Sequence, residues 1–181
     1  MIKNAIETYY KQIKPDMDYC KGTDFSDISE EIKKLFDNGR KPVRKTEVTD
    51  LTPFQKEFGT DVPAEIEKYI NEYWHPCIYG YQNLPECIVL FSVLKKEEDT
   101  ADDVVFYKNS LMDLSSKWSN IGDINKYIPI GWLNDSGGFV LYNVDTFEIY
   151  IEDVDSNKEG EIAKVPIADS LEDLILNLKI M

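Results

Sequence analysis

The sequence has a single histidine and only three cysteines, which excludes most of the common metal and redox sites. One histidine cannot supply a multi-histidine metal centre, and Cys20, Cys77 and Cys87 are odd in number and irregularly spaced. His75, Cys77 and Cys87 could together ligate zinc, but their spacing matches no recurring ligand pattern. We therefore expect reduced thiols in a cytoplasmic compartment, no bound metal or cofactor, and a His75 that packs in the core at a helix end.

Long hydrophobic runs are also missing. No stretch reaches the roughly 18 apolar residues of a transmembrane helix, and residues 1–14 lack the apolar segment of a signal peptide. Because 43% of the residues are apolar, the chain can still bury a core. The composition predicts one cytoplasmic domain, residues 1–181, that does not insert into a membrane. Within it we expect a helical preface and basic loop at 1–50 and a core at 51–181.

Basic residues are few: 20 lysines and arginines face 34 acidic residues, which gives a net charge of −14. This balance argues against a nucleic-acid binder, because neutralising phosphates needs lysine and arginine. It allows plain solubility or attraction to a basic partner. Residues 127–181 alone contain 11 acidic and 3 basic residues. One basic run, which we interpret as a solvated helix end and linker, comprises Lys33, Lys34, Arg40, Lys41, Arg44 and Lys45.

Catalytic motifs are missing as well. Ser136 lies outside a G-x-S-x-G pattern, and no lysine follows Gly137 and Gly138 as it would in a phosphate-binding loop. The acidic stretch 97–103 lacks the ordered spacing and the glycine of a calcium loop. We therefore expect that the protein is not an enzyme. The alternative, an enzyme built around His75 and the cysteines, predicts bound metal in elemental analysis and a defect in His75→Ala.

The sequence does contain a tightly specified meander at residues 127–154, YIPIGWLNDSGGFVLYNVDTFEIYIEDV. Residues 134–138 predict a tight turn in which two glycines supply positive φ angles. Residues 145–146 predict a second, two-residue turn. Residues 139–144 are apolar on both faces, which is typical of a covered central strand.

The third strand of the meander predicts one buried face and one exposed face, because apolar residues occupy every second position. Its exposed side chains are acidic or tyrosine, and they form either a binding face or an ordinary solvent face. The alternating sets are Phe147, Ile149 and Ile151 against Glu148, Tyr150 and Glu152.

Helical periodicity and cap signals surround the predicted strands. The signals at helix starts are Asp27, Thr52, Pro63 and Ser170. Two further strands are predicted at 77–81 and 86–94, and a loop or short edge strand at 38–50. Helices at both ends, with strands joined by short turns, predict an α+β fold with a mostly antiparallel sheet. The predicted helices cover residues 1–13, 27–37, 52–58, 63–74, 103–118 and the segment after 170.

In this order the motifs resemble the SUKH superfamily, and most closely its Syd-like branch, named for the SecY-interacting protein Syd. The resemblance covers residue 52 to the C-terminus, whereas residues 20–50 match nothing in it. It rests on EFGTDVPAEIEKYINEYW, ECIVLFSV, YKNSLMDL, the meander and the final ADSLEDLI.

The resemblance implies helices packed on one antiparallel sheet and no catalytic residues. Many SUKH proteins look like immunity proteins, which bind and neutralise a cognate bacterial toxin, often a nuclease. The resemblance to Syd implies an alternative, docking of an acidic face on basic cytosolic loops of the SecY translocon. We expect an immunity protein with a basic partner, and we keep the SecY-binding protein as the alternative.

Charge and predicted exposure alone select the residues expected to contact that partner. A first group comes from the meander and its end: Asp135, Glu148, Tyr150, Glu152, Asp153 and Asp155. A second acidic rim comprises Glu97, Glu98, Asp99, Asp102 and Asp103.

Overall fold

A computed structural model describes residues 1–13, 28–36, 41–52, 55–56, 61–94, 126–153 and 161–180. Helices and strands both occur in these residues, as expected for the α+β class. The helices are α1 (Ile2–Gln12), α2 (Glu30–Leu35), α3 (Ala64–Glu72) and α4 (Leu171–Asn177). The strands are β1 (Val43–Arg44), β2 (Tyr73–Trp74), β3 (Ile78–Gly80), β4 (Ile88–Leu90), β5 (Tyr127–Leu133), β6 (Phe139–Asn143) and β7 (Ile149–Ile151).

The main sheet has five antiparallel strands in the order β3-β4-β5-β6-β7, so each strand pairs with its neighbour in the sequence. A separate small sheet pairs β1 with β2. Every residue of β6 is buried, as predicted for a covered strand inside the sheet. The predicted α+β class with a mostly antiparallel sheet and a meander is confirmed.

Both outer strands of the main sheet are covered by segments from the C-terminal part of the chain. Residues 161–168 run antiparallel to β7, and the N–H of Ile149 donates to the carbonyl of Ala168 at 2.9 Å. At the opposite edge, Tyr81 and Lys179 exchange two backbone hydrogen bonds of 3.0 Å. Covering satisfies backbone groups that would otherwise pair with another chain.

The helices α1, α3 and α4 contact one another and share one core with the sheet. One face of α1 is apolar and buried, and it includes Ile2, Ala5, Ile6 and Tyr9. The Tyr9 hydroxyl donates to the carbonyl of Tyr79 at 2.9 Å and so ties α1 to β3. The first helix therefore belongs to the same core as the sheet.

The turns of the meander differ in detail from the prediction. Only Gly137 has a positive φ angle, of 73°, whereas Gly138 does not. The second turn is longer than two residues, because the N–H of Asn143 bonds the carbonyl of Glu148 at 3.0 Å. Phe147 lies in this turn rather than in β7. The side chain of Asn143, which binds backbone N–H groups inside the turn, accounts for the extra length.

Residues 73–74 were expected to continue α3, and this expectation is wrong. Tyr73 has φ −142° and ψ 149°, and it pairs with Arg44 in the β1–β2 sheet. His75 continues the extended run and bridges Val93. A residue before proline avoids the helical region, so Pro76 favours this early end of the helix.

Some helix caps lie where the sequence predicts them and others do not. Ser170 caps α4 as predicted, since its Oγ accepts from the N–H of Asp173 at 3.0 Å. For the segment after residue 50, the cap is Asp50 rather than Thr52, because Asp50 Oδ1 accepts from the N–H of Thr52 at 2.9 Å. Ser29 caps α2. The predicted cap Asp27 and the predicted helix 103–118 lie outside the described residues.

Lys45 is not part of a solvated linker. Only 8% of the residue is exposed, its Nζ donates to Thr49 Oγ1 at 2.6 Å, and the same atom lies 3.6 Å from the centroid of the Trp74 ring. A lysine ammonium over an aromatic face is held by the negative electrostatic potential of the ring. The prediction for this residue is therefore wrong.

Candidate protein-binding surface

Acidic side chains collect at one end of the main sheet. Antiparallel pairing brings the β3–β4 connection, the β5–β6 turn and the end of β7 to this end. The described stretches 81–87, 134–138, 152–153 and 161–162 contain no lysine or arginine, and the exposed Lys179, which pairs with Tyr81, is a cation beside them. They contain five acidic residues: Glu86, Asp135, Glu152, Asp153 and Glu161.

Hydrogen bonds donated by backbone N–H groups hold these stretches next to one another. The N–H of Ser136 donates to Glu86 Oε2 at 2.8 Å, which ties the β3–β4 connection to the β5–β6 turn. The N–H of Asp153 donates to the carbonyl of Glu161 at 2.6 Å. Asp135 and Glu161 are exposed, and Glu86 and Asp153 are half-buried. We call Glu86, Asp135, Asp153 and Glu161 the acidic end.

Glu152 was expected to be exposed, and this expectation is wrong. Only 8% of the residue is accessible, and its Oε2 accepts from the N–H of Phe139 at 3.2 Å. The cause is the covering segment, because Ile162 pairs with Glu152 along the outer side of β7. We therefore leave this residue out of the acidic end.

Glu148 and Tyr150 lie towards the opposite end of β7. Both are half-buried, and the Tyr150 hydroxyl donates to Glu148 Oε2 at 2.8 Å. The hydrogen bond to Glu148 raises the pKa of Tyr150, and burial adds to the increase. The Tyr150 ring also meets Tyr127 edge to face, with centroids 6.0 Å apart. These two residues form a fixed pair that is separate from the acidic end.

The remaining predicted contact residues, Asp155 and the rim at 97–103, lie outside the described residues. Sequence reasoning missed Glu86 and Glu161, which the fold places beside Asp135 and Asp153. Their proximity depends on strand register and on the covering segment, neither of which follows from local patterns. The only hint of Glu86 in the sequence is the predicted short connection between the strands at 77–81 and 86–94, which places this residue near a turn.

His75 packs in the core, as predicted. It is fully buried, its Nδ1 lies 2.7 Å from the carbonyl of Pro76, and its ring meets that of Tyr69 edge to face. Burial lowers the pKa of His75 to about 4, so the ring is neutral at pH 7. Cys77 and Cys87 belong to a different cluster of buried side chains. Among the described residues, no three His, Cys, Asp or Glu side chains form a group that could hold a metal ion.

Within the part of the chain that the structure describes, no helix combines the length and apolar composition needed to cross a bilayer. No protein-family model matches the sequence, and neither does any curated protein.

Proposed function

We propose that the protein is a non-enzymatic, acidic protein-binding domain of the cytoplasm that acts as an immunity protein. It binds the basic catalytic domain of a cognate bacterial toxin, most simply a nuclease, and prevents the toxin from reaching its substrate. The acidic end carries this proposal. Four acidic residues lie there on neighbouring stretches, one of them (Glu86) bonded to the N–H of Ser136, in a chain with a net charge of −14.

The chemistry of the partner supports this assignment. A nuclease must bind phosphates, so its cleft is lined with cations. A negatively charged surface attracts such a cleft over long distances and competes with the nucleic acid for it. The acidic end suits this role because it is built on hydrogen-bonded turns of a sheet, so the backbone that carries the carboxylates is already positioned.

Affinity capture from the native lysate, with this protein as bait, tests the proposal. We expect the wild-type protein to retain a basic protein, and the double variant Asp135→Lys/Glu161→Lys to lose it. The matched control is Glu31→Lys/Glu47→Lys, which makes the same change of charge at exposed residues away from the acidic end. This control should retain the partner.

A growth assay then separates binding from immunity. Expression of the captured partner should arrest growth, and co-expression of this protein should restore it, whereas the Asp135→Lys/Glu161→Lys variant should not. A captured partner that is harmless to cells would refute the immunity role. Recovery of translocon components instead would favour the SecY-binding alternative, and capture that survives the charge reversal would refute the acidic end as the surface.

A further inference from the structure

The turn between β6 and β7 holds an exposed aromatic ring in an unusual backbone conformation. Phe147 has a φ angle of 68° and is 54% exposed. Its N–H donates to the carbonyl of Asn143 at 2.8 Å. The Asn143 Oδ1 also accepts from the N–H groups of Asp145 and Thr146, at 2.9 and 3.2 Å. These bonds fix the turn and therefore the backbone position of Phe147.

A phenylalanine is a poor residue for this position. Left-handed backbone strains any residue with a Cβ, and glycine or asparagine normally occupies it. The ring gains little from folding, because the residue is 54% exposed and its one described ring contact, with Tyr142, has centroids 6.5 Å apart. Strain of this kind points to a role outside the stability of the fold.

Next to the ring lies an open pocket of about 490 Å³ between the β6–β7 turn and the starts of α1, α3 and α4. The exposed Phe147 and Met1 give it accessible apolar surface, whereas Tyr142 and Ile2, each only 1% exposed, lie buried beneath it. Its charged lining groups are the carboxylates of Glu65, Asp169 and Glu172, with the cations of Lys68 and the Met1 amino group.

The three carboxylates are not equally available. Glu65 accepts from the N–H groups of Leu171 and Glu172, at 3.2 and 3.0 Å, and so serves the fold. Glu172 pairs with the amino group of Met1. Asp169 is exposed, and no described residue forms an ion pair with it. The pocket thus offers an apolar surface next to an available carboxylate.

We propose that Phe147 and this pocket form a second docking surface, which takes a basic segment of a partner protein that presents an arginine beside an apolar side chain. The apolar side chain packs against the exposed ring of Phe147. The guanidinium stacks on an aromatic face and bonds the Asp169 carboxylate, which it can do with two parallel hydrogen bonds. This inference shares one assumption with the proposed function, namely that the partner is a basic protein.

The test uses the full chain labelled with ¹⁵N and two short amidated peptides, Arg-Leu-Arg and Glu-Leu-Glu, titrated to millimolar concentration. We expect Arg-Leu-Arg to shift amide signals at residues 142–149 and 169–172, and Glu-Leu-Glu to shift none there. In Phe147→Gly, binding of Arg-Leu-Arg should weaken about tenfold, because the ring contact is lost. In the same variant Tm should rise by about 3 °C, because glycine relieves the strain.

Two further variants divide the contribution of charge from that of the ring. Asp169→Asn should weaken binding of Arg-Leu-Arg several-fold, whereas Glu47→Gln, an equal loss of charge at an exposed site outside the pocket, should leave it unchanged. The proposal is overturned if Arg-Leu-Arg shifts no signal at the pocket, or if Phe147→Gly binds it as tightly as the wild type. A lower Tm for Phe147→Gly would also overturn it, because the ring would then be a packing residue.

The outcome is independent of the test of the acidic end. Asp135 and Glu161 do not line this pocket, so their reversal leaves it intact. If the peptide does not bind at the pocket but the charge reversal at the acidic end abolishes capture, only this second surface is refuted.

Discussion

At Gly131, which pairs with Leu90 of β4, the sheet leaves no room for a side chain. A Cβ atom built there would lie 2.2 Å from the carbonyl oxygen of Val89 on β4. That oxygen is backbone, so relief requires the strands themselves to move. We predict that Gly131→Ala lowers the free energy of unfolding by about 3 kcal/mol, measured by urea denaturation.

Gly137→Ala is the control for that measurement. Nothing lies within 4 Å of a Cβ built at Gly137, so only its positive φ angle opposes the change. The expected loss is about 1 kcal/mol. Equal losses for the two variants would show that close approach of the strands is not what requires glycine at position 131.

His75 makes the stability depend on pH. Burial lowers its pKa from 6.5 to about 4, so between these values the unfolded chain binds a proton that the native protein does not. Stability from this residue is therefore complete above about pH 6.5 and is lost as the pH falls towards 4. The slope is about 1.4 kcal/mol per pH unit, and the total is about 3 kcal/mol.

Comparison with His75→Gln isolates this contribution. The carboxylates titrate in both proteins, so their effect on the free energy of unfolding cancels in the difference. We expect the difference in free energy of unfolding between wild type and variant to shrink as the pH falls from 7 to 4. A difference that stays constant over this range would mean that His75 keeps its ordinary pKa.

Among the secondary-structure elements, α3 and α4 are joined through one carboxylate. Glu65 of α3 accepts from the first two N–H groups of α4, and it also bonds the hydroxyl of Tyr142. Its removal leaves two partly buried donors without a partner. We predict that Glu65→Ala costs about 2 kcal/mol of stability, and that Ser170→Ala, which removes a single cap bond, costs about 1 kcal/mol.

Thermal unfolding of a third variant, Glu67→Ala, provides the baseline. Glu67 is exposed on the same helix, and we expect its removal to change Tm little. If Glu65→Ala unfolds at the same temperature as Glu67→Ala, the bonds between α3 and α4 do not contribute to stability.

Local signals predicted the elements well and the connections between them poorly. Ser170 could be recognised as a cap because its partner is three residues away, whereas Glu65 bonds residues more than 100 positions later. Tyr73 fits a helical stripe, but pairing with β1 and the proline at 76 place it in a strand. Glu152 has the alternation of an exposed residue, and only the covering segment buries it.

The same limit applies to the binding surface. The acidic character of the meander was visible in the sequence, and Asp135 and Asp153 do lie at the acidic end. The fold separated them from Glu148 and Tyr150, which β7 places towards its other end. The strained position of Phe147 could not be predicted either, because the sequence gives no glycine or asparagine to mark the turn there.

At the scale of the whole molecule, the covered edges of the sheet and the surplus of acidic residues have a common consequence. Backbone pairing with another chain is blocked where residues 161–168 and 178–180 lie against the outer strands. Along these covered edges of the main sheet, a partner would be recognised through side chains, on turns and at the ends of strands. Both proposed surfaces lie at such places, one at each end of β7.

A net charge of −14 should act mainly on how fast a basic partner arrives. Long-range attraction raises the association rate constant and is screened by salt over about 10 Å at 0.1 M, whereas contacts in the complex govern dissociation. With the captured partner immobilised for surface plasmon resonance, we expect the association rate constant to fall at least tenfold between 20 and 300 mM salt, as is typical of electrostatic steering.

Asp135→Asn/Glu161→Asn should make the association rate constant depend less steeply on salt. Glu31→Asn/Glu47→Asn should reduce this dependence less, because Glu31 and Glu47 lie away from the docking surface. A salt dependence confined to the dissociation rate would contradict steering and would leave the acidic end as a short-range contact.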